Sequence, residues 1–438
     1  MTNNEWSNIC LIVNALIWVF TFVIYQYKTR YFGVGSGILL LYTIISILAI
    51  DLYHSEDAVM FNDLNLFPFI YLFSMILLAS SPILTMGEKH IKQIESPNMR
   101  LFNIVCIGLI VFSFVGLPET ITAIRKNLIS ILFDNTYAAE LYHEASDTYV
   151  NKTKSGFNII GILSGVSTFA SLPFYIFYTI QNATKKHKFI SIGLAISVLI
   201  SPLYAILSGS RSGMAQFIFN IIFLLLFVRN LLSKKIKKKL IKGITVLGTI
   251  FLSLFMAVTF SRANGNAARA FQLIESYVAQ GPLLFNNYCL DAGGTRQGDY
   301  TAVAFKYIAG MHPAMYYAGR LNKYAHMKID ESRFYTFVGD FTLDYGPVWA
   351  VVILLATALF FKRCLIVRDG TMTFHQFLMF YLLMVGCLGY FQFPLGREGG
   401  NMEMVMILFL ALLFKVVYDF DRRKNKLHEK NLHSFGDI

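Results

Sequence analysis

Apolar residues in this chain come in long runs broken by short polar segments. Eleven runs stand out, at 9–25, 34–50, 66–86, 101–117, 157–181, 189–208, 213–232, 243–261, 345–361, 373–392 and 401–418. A helix rises 1.5 Å per residue, so about 20 apolar residues cross the hydrocarbon core of a bilayer. The pattern predicts an all-α polytopic membrane protein with about 11 transmembrane helices. Two connections are long, about 118–157 and 262–344, and both carry helical periodicity. Ile121, Ile124, Leu128, Ile131 and Leu132 share one face, with Arg125 and Lys126 opposite. Ala267, Ala270, Phe271, Ile274, Tyr277 and Val278 share another, with Arg269, Gln272 and Glu275 opposite, and Gly281-Pro282 is expected to end that helix. Such stripes suit helices lying on a membrane surface or packed on the bundle. The chain therefore divides into a bundle over 1–261, a large loop over 262–344, and a last set of spans with a basic tail over 345–438.

Composition agrees. Of 438 residues, 55% are hydrophobic and 15% charged, with a mean hydropathy of +0.54; soluble domains carry about 25% charged residues. The net charge of +12 is unevenly placed. Assigning alternate connections to two sides gives one side 24 basic and 7 acidic residues, including the run from Lys234 to Lys239, and leaves 14 and 19 on the other. Cytoplasmic loops retain Lys and Arg, so the basic side is expected inside, the N-terminus outside and the C-terminus inside. The charge is thus an orientation signal and contact for lipid headgroups, not a nucleic-acid interface. The first run lacks the basic flank and cleavage site of a signal peptide. Five cysteines show neither CxxC nor Cys/His metal spacing. Connections on the basic side are too short for a nucleotide-binding domain, and no GxxxxGK[ST] or GxGxxG stands in the chain. Asp419-Phe420-Asp421 reads as a solvated helix end, so no metal or nucleotide cofactor is expected.

Candidate chemistry lies on the other side. Arg211 stands in Ser208-Gly209-Ser210-Arg211-Ser212-Gly213, Arg262 directly follows a span, and Arg397 stands in Pro394-Leu395-Gly396-Arg397-Glu398-Gly399-Gly400. Singly, each matches an arginine snorkelling to phospholipid. Together at one rim they predict an anion site, because guanidinium groups match phosphate bidentately and keep their charge. Arg269 joins them as a further candidate.

Three segments resemble the Wzy-type oligosaccharide repeat-unit polymerases of bacteria. They are the turn Ser208–Gly213 entering an apolar helix, Tyr277-Val278-Ala279-Gln280-Gly281-Pro282 in the long loop, and Tyr335-Thr336-Phe337-Val338 followed by Asp344-Tyr345-Gly346-Pro347. One departure is that no Arg-x10-Gly spacing stands at Arg262 or Arg269. The resemblance implies a GT-C-like bundle in the bacterial plasma (inner) membrane. It implies a glycosyltransferase that joins undecaprenyl-pyrophosphate-linked oligosaccharides on the outer face, for O-antigen, capsule or exopolysaccharide, with a chain-length regulator as a possible partner. Pyrophosphate would be held by Arg211, Arg262, Arg397 and Arg269. Asp344, His312 and Glu398, with Asp340, are candidates for the base that activates the acceptor hydroxyl. Asp344 could equally cap the ninth span, Glu398 could pair with Arg397, and His312 before Pro313 could only shape a turn. Tyr300, Tyr316 and Tyr317 are candidates to stack on sugar rings. An O-antigen ligase would share this plan. A flippase would favour repeated spans and charges buried mid-membrane, whereas no repeat is evident and the mid-span regions look nearly free of charge.

Overall fold

A computed structural model of the chain describes residues 3–55, 61–133, 137, 159–181, 188–207, 212–263, 265–314, 317–331 and 333–435. Each of the eleven apolar runs contains a helix. Eight helices are long and apolar enough to cross a membrane: α1 (Asn3–Thr29), α2 (Val34–His54), α3 (Leu66–Thr85), α6 (Ile159–Ile180), α7 (Lys188–Leu207), α9 (Lys234–Arg262), α14 (Pro347–Cys364) and α16 (Arg397–Phe435). α4 (Met99–Phe114) and α5 (Leu117–Phe133) meet the same test as a pair, bent by 42°. α8 (Ser212–Val228) and α15 (Phe374–Cys387) are apolar but shorter. This is an all-helical protein of the polytopic membrane type. Between α9 and α14 lie α10 (Ala267–Leu284), a π-helical turn Phe285–Cys289, α11 (Val303–Ile308), α12 (Tyr317–Lys323) and α13 (Thr336–Tyr345).

Polar contacts sort the connections to two ends of the bundle. At one end, β1 (Gln93–Ile94) pairs in parallel with β2 (Thr371–Met372). There too the Val34 N–H donates to Glu88 Oε2 (2.7 Å), Arg229 lies over the Tyr31 ring, and Asn98 donates to Asp421. This is the end that collects the basic segments. At the opposite end the Asn65 N–H donates to Asn286 Oδ1 (2.9 Å) and the Asn62 N–H to Asn287 Oδ1 (3.0 Å), tying the connection after α2 to the large loop. The bundle core is aromatic. Phe102, Phe174, Phe177, Phe374 and Phe414 interlock, with Phe102 stacked on Phe174 at 5.1 Å between centroids and Phe177 tilted against Phe374 at 4.7 Å, arrangements of the kind ring quadrupoles favour. Where α4 meets α7, the Ser113 hydroxyl donates to Ser197 Oγ at 2.6 Å, a small-residue contact that lets apolar helices approach.

Several expectations change. The run 101–117 breaks after Phe114, and of the two placements its stripe allowed α5 takes the one on the bundle: Ile124, Leu128 and Ile131 pack with Leu207, Met214, Phe251, Leu254 and Val258. The Asn127 amide ties α5 to the end of α7 by donating to the Leu207 carbonyl (2.9 Å). α10 continues through Gly281-Pro282 to Leu284, burying Ala279 and Leu283 against Cys10, Leu11, Ala49 and Leu52, while Phe271 of the expected apolar stripe is exposed. Gly281 is there for close approach: a Cβ would stand 2.9 Å from the Tyr390 carbonyl oxygen and from Thr336 Cγ2. Asp344 is not the cap of α14. It lies in the last turn of α13, and Gly346 (φ 82°) takes the cap position, with Pro347 opening the helix.

Candidate functional site

Five helices and one connection enclose a polar cavity of about 220 Å³ at the end of the bundle that carries the large loop. Its walls come from Gly165–Leu172 of α6, Val198–Ala205 of α7, Ser212–Asn220 of α8, Tyr381 and Val385 of α15, Glu403 of α16, and Phe391, Gln392 and Pro394 between α15 and α16. The lining mixes hydroxyls (Thr168, Ser201, Ser212), amides (Gln216, Asn220, Gln392), aromatic rings (Phe169, Phe217, Tyr381) and one carboxylate. Thr168 Oγ1 and Gln216 Oε1 are buried and find no hydrogen-bond partner among the described residues. Leaving a buried polar group unsatisfied costs about 1–3 kcal/mol, so these atoms mark a wall shaped to bond a guest. Glu403 takes part in no ion pair among the described residues. In apolar helices such an acid is a functional candidate by default.

The connection 388–396 closes the cavity and is clamped from behind. The N–H groups of Thr336 and Phe337 donate to the carbonyls of Phe391 (3.1 Å) and Gly389 (2.8 Å), and the Phe393 N–H donates to Asp340 Oδ2 (2.7 Å). Tyr300 donates its hydroxyl to Gln392 Oε1 (2.9 Å), and the Arg397 N–H donates to the Tyr300 carbonyl (2.7 Å). Two residues bracketing this strap, Thr336 (φ 70°) and Arg397 (φ 58°), hold left-handed backbone, costly for a β-branched threonine above all. Strain of about 1–3 kcal/mol per such residue persists only where surroundings over-determine it.

What over-determines it is a buried ionic lattice in the large loop. Arg296, only 2% exposed, reaches three acids: Nε stands 2.8 Å from Asp344 Oδ1, one terminal nitrogen 3.1 Å from Asp340 Oδ1, the other 3.4 Å from Glu331 Oε1. Glu331 also receives Arg320 Nε at 3.0 Å. Asp344 Oδ2 accepts from the Tyr300 and Thr301 N–H groups and from the Thr301 hydroxyl. Beside this lattice, Asp299 pairs with Lys306 and Lys323 and accepts from the Tyr324 hydroxyl. Burial alone would raise the Asp299 carboxyl, but these donors and the Ala314 N–H outweigh it and hold its pKa at about 2. Burial pushes Asp340 the other way, up to about 6, against the Arg296 charge and the Phe393 N–H. The Tyr300 ring lies under three guanidinium groups, those of Arg296, Arg320 and Arg397, 5.0, 5.4 and 5.5 Å from its centroid.

This geometry reassigns several sequence candidates. Asp344 is fully buried and its oxygens are committed to Arg296 and three donors, so it is a pin rather than a base. Tyr300 is buried beneath the three arginines and presents no face to a sugar. No ion pair joins Glu398 to Arg397 among the described residues; Arg397 turns to Tyr300 instead. His312 is exposed on the loop. Arg269 is exposed on α10, its side chain beside Gln272, and Arg262 closes α9 half-buried. The structure thus brings together Tyr300, Asp344 and Arg397, and sets His312 and Arg269 on exposed stretches of the loop. Arg211 and Tyr316 lie outside the described residues, as does the side chain of Tyr317. Among the described residues no three His, Cys, Asp or Glu are grouped to hold a metal ion. Comparison with known protein families, with curated proteins and with solved structures finds no match.

Sequence reasoning passed over Glu403 and the Arg296 lattice. For Glu403 the signal was present, an acid at the third residue of the last apolar run. For Arg296 it was not, since its partners stand 35 to 48 residues away in the chain.

Proposed function

We propose that the chain is an integral membrane glycosyltransferase that polymerises oligosaccharide repeat units carried on undecaprenyl pyrophosphate at the outer face of a bacterial plasma membrane. The observation that carries this reading is the cavity: hydroxyls, amides, aromatic rings and one carboxylate converge inside an otherwise apolar bundle. Hydroxyl-rich guests are recognised by such groups, and an aqueous-soluble substrate would not require a site walled by five membrane helices. At about 220 Å³ the space is smaller than the roughly 300–1,000 Å³ of sites for drug-sized ligands, which suits one sugar residue at the reacting bond.

In this reading Glu403 is the base that accepts the proton of the acceptor hydroxyl as that oxygen attacks C1 of the donor sugar. The pyrophosphate leaves with the electron pair of the broken bond, and oxocarbenium character develops at C1. Gln216, Asn220, Thr168 and Gln392 orient the two sugars. Arg211, which directly precedes Ser212 in the sequence, is the cation proposed for the leaving pyrophosphate, whose growing charge a cation stabilises. The Arg296 lattice has no direct part in the chemistry; it fixes Gln392 and the strap.

Purified protein in nanodiscs, given its host's undecaprenyl-pyrophosphate repeat unit with EDTA and no nucleotide, is expected to yield a ladder of lengthening products. Glu403→Gln should abolish the ladder while leaving substrate binding intact. Binding without any ladder from the parent protein would refute the polymerase reading, and product formed only on adding lipid A core would identify a ligase.

A further inference from the structure

We infer that the basic end of the bundle holds a binding site for an anionic glycerophospholipid, in a groove between α14, α16 and the start of α15. The groove is about 980 Å³ and lies at the opposite end of the bundle from the cavity with Glu403. On α16, Leu408, Ala411, Leu412, Lys415, Asp419 and Arg422 recur at spacings of three and four and therefore form one stripe. Over these 15 residues, about 21 Å of helix, the stripe passes from apolar to charged. The facing wall begins apolar at Phe360 and ends cationic at Arg368, with Arg363 and Ile366 alternating between them. Both walls therefore set apolar side chains toward the bundle's middle and a cation at its end, as an amphiphile requires.

The charges suit an anion. Arg363, Arg368, Lys415 and Arg422 line the groove, and none of them makes an ion pair among the described residues, although Glu95, Asp369 and Asp419 share the rim. All four cations are exposed. The N-terminus of α15, capped by Thr373 with Gln376, adds its partial positive charge at the same place. The apolar half is exposed as well: Phe360 by 50% and Leu412 by 61%. A soluble phosphate would engage the rim alone and leave these side chains uncovered; a phospholipid covers both with one molecule. Basic pockets between membrane helices are suited to acidic lipid headgroups in this way.

The test is lipid retention. Full-length protein stripped in detergent is titrated with phosphatidylglycerol or phosphatidylcholine, and bound lipid is counted by native mass spectrometry. The parent is expected to retain phosphatidylglycerol in preference to phosphatidylcholine. Arg363→Gln/Arg368→Gln/Arg422→Gln should weaken the phosphatidylglycerol adduct on the order of 100-fold, at about fivefold per charge. A matched variant that removes three exposed charges from α9, Lys235→Gln/Lys238→Gln/Lys239→Gln, should retain it. Equal retention by parent and groove variant overturns the proposal, as does an equal loss in the α9 variant, which would mean unspecific attraction. Glycerophosphoglycerol, the headgroup without chains, should not compete at comparable concentration; if it competes as well as the whole lipid, the site is for a soluble anion. Leu412→Glu, which leaves every cation in place, should weaken the lipid adduct tenfold or more, and its having no effect would also count against a lipid.

Discussion

Replacing Arg296 by alanine should loosen the strap that walls the cavity, and the size of the effect follows from what the guanidinium leaves behind. Glu331 keeps Arg320 at 3.0 Å, so it is not orphaned. Asp344 keeps three donors on Oδ2 but loses Arg296, its one ion-pair partner among the described residues. Asp340 keeps the Phe393 N–H and loses Arg296. Breaking a buried ion pair from one side costs about 3–5 kcal/mol. An independent ceiling comes from titration. An aspartate of ordinary pKa 3.8 costs roughly 4 kcal/mol to hold protonated at pH 7, so an orphaned carboxyl takes up a proton rather than lose more. The two routes agree on about 4 kcal/mol. The assay is amide hydrogen exchange at Phe393 and Thr301, whose N–H groups bond these two acids; about 4 kcal/mol corresponds to exchange on the order of 10³-fold faster. Arg333→Ala, which removes an exposed pair with Asp330, should change exchange by less than about fivefold. The variant's deficit should also shrink on acidification. Asp340, whose folded pKa burial already raises to about 6, is pushed higher still without Arg296, so its share of the loss is present at neutral pH and fades as pH falls toward about 4. A change in Arg296→Ala of under tenfold at pH 7 would refute the view that the lattice sets the strap.

Further expectations follow from the same geometry. Glu403→Gln should lower polymerisation by about 10²–10⁴, the usual worth of a general base, with unchanged thermal stability in detergent; activity within threefold of the parent would remove Glu403 from the mechanism. Asp299 has a folded pKa held below its unfolded value, so its stabilisation of the loop, roughly 2–3 kcal/mol, is present above about pH 4 and lost as pH falls through 2. Exchange at Ala314, corrected for its intrinsic rate, should show that loss, and Asp299→Asn should abolish the pH dependence. Gly281→Ala should cost about 1–3 kcal/mol, because its Cβ meets a carbonyl oxygen of the strap at 2.9 Å; a melting temperature unchanged within 1 °C would contradict that.

The membrane helices were legible because hydropathy is a local property. Twenty apolar residues specify a helix whatever the rest of the chain does, and each of the eleven runs contains a helix. Their ends were less legible. α15 stops at Cys387 rather than near 392 because the chain must turn into the strap, whose carbonyls bond to Thr336 and Phe337 some fifty residues earlier. The loop stripe was read correctly as helical in α10, but the choice between a membrane surface and the bundle stayed open, since the partner surface is α2 and the start of α1, which no window of sequence contains. Asp344 illustrates the same limit. Asp-Tyr-Gly-Pro before an apolar run has the composition of a helix start, yet the carboxylate points back to Arg296 and the cap falls to Gly346.

The arginines show where reading charge by position stops working. Those adjoining the spans were chosen because cations are scarce on that side of the chain. But scarcity has two physical sources: an arginine kept for an external anion, and an arginine whose anion is already in the protein. Arg296 and Arg320 belong to the second class, with carboxylates at 2.8–3.4 Å and almost no exposed surface. Arg397 stands between the classes: its side chain is exposed, its backbone strained, and its guanidinium rests on Tyr300, the ring that also covers Arg296 and Arg320. A guanidinium over a ring keeps all five N–H donors in its own plane, free to turn toward an anion. Arg397→Gln, which leaves the Tyr300 hydroxyl on Gln392, therefore separates the two roles. If Arg397 only seals the lattice, the substitution should raise exchange at Phe393 and leave substrate affinity alone. If Arg397 serves the pyrophosphate, KM should rise severalfold with that exchange little changed, because Asp340 and Arg296 still hold the strap.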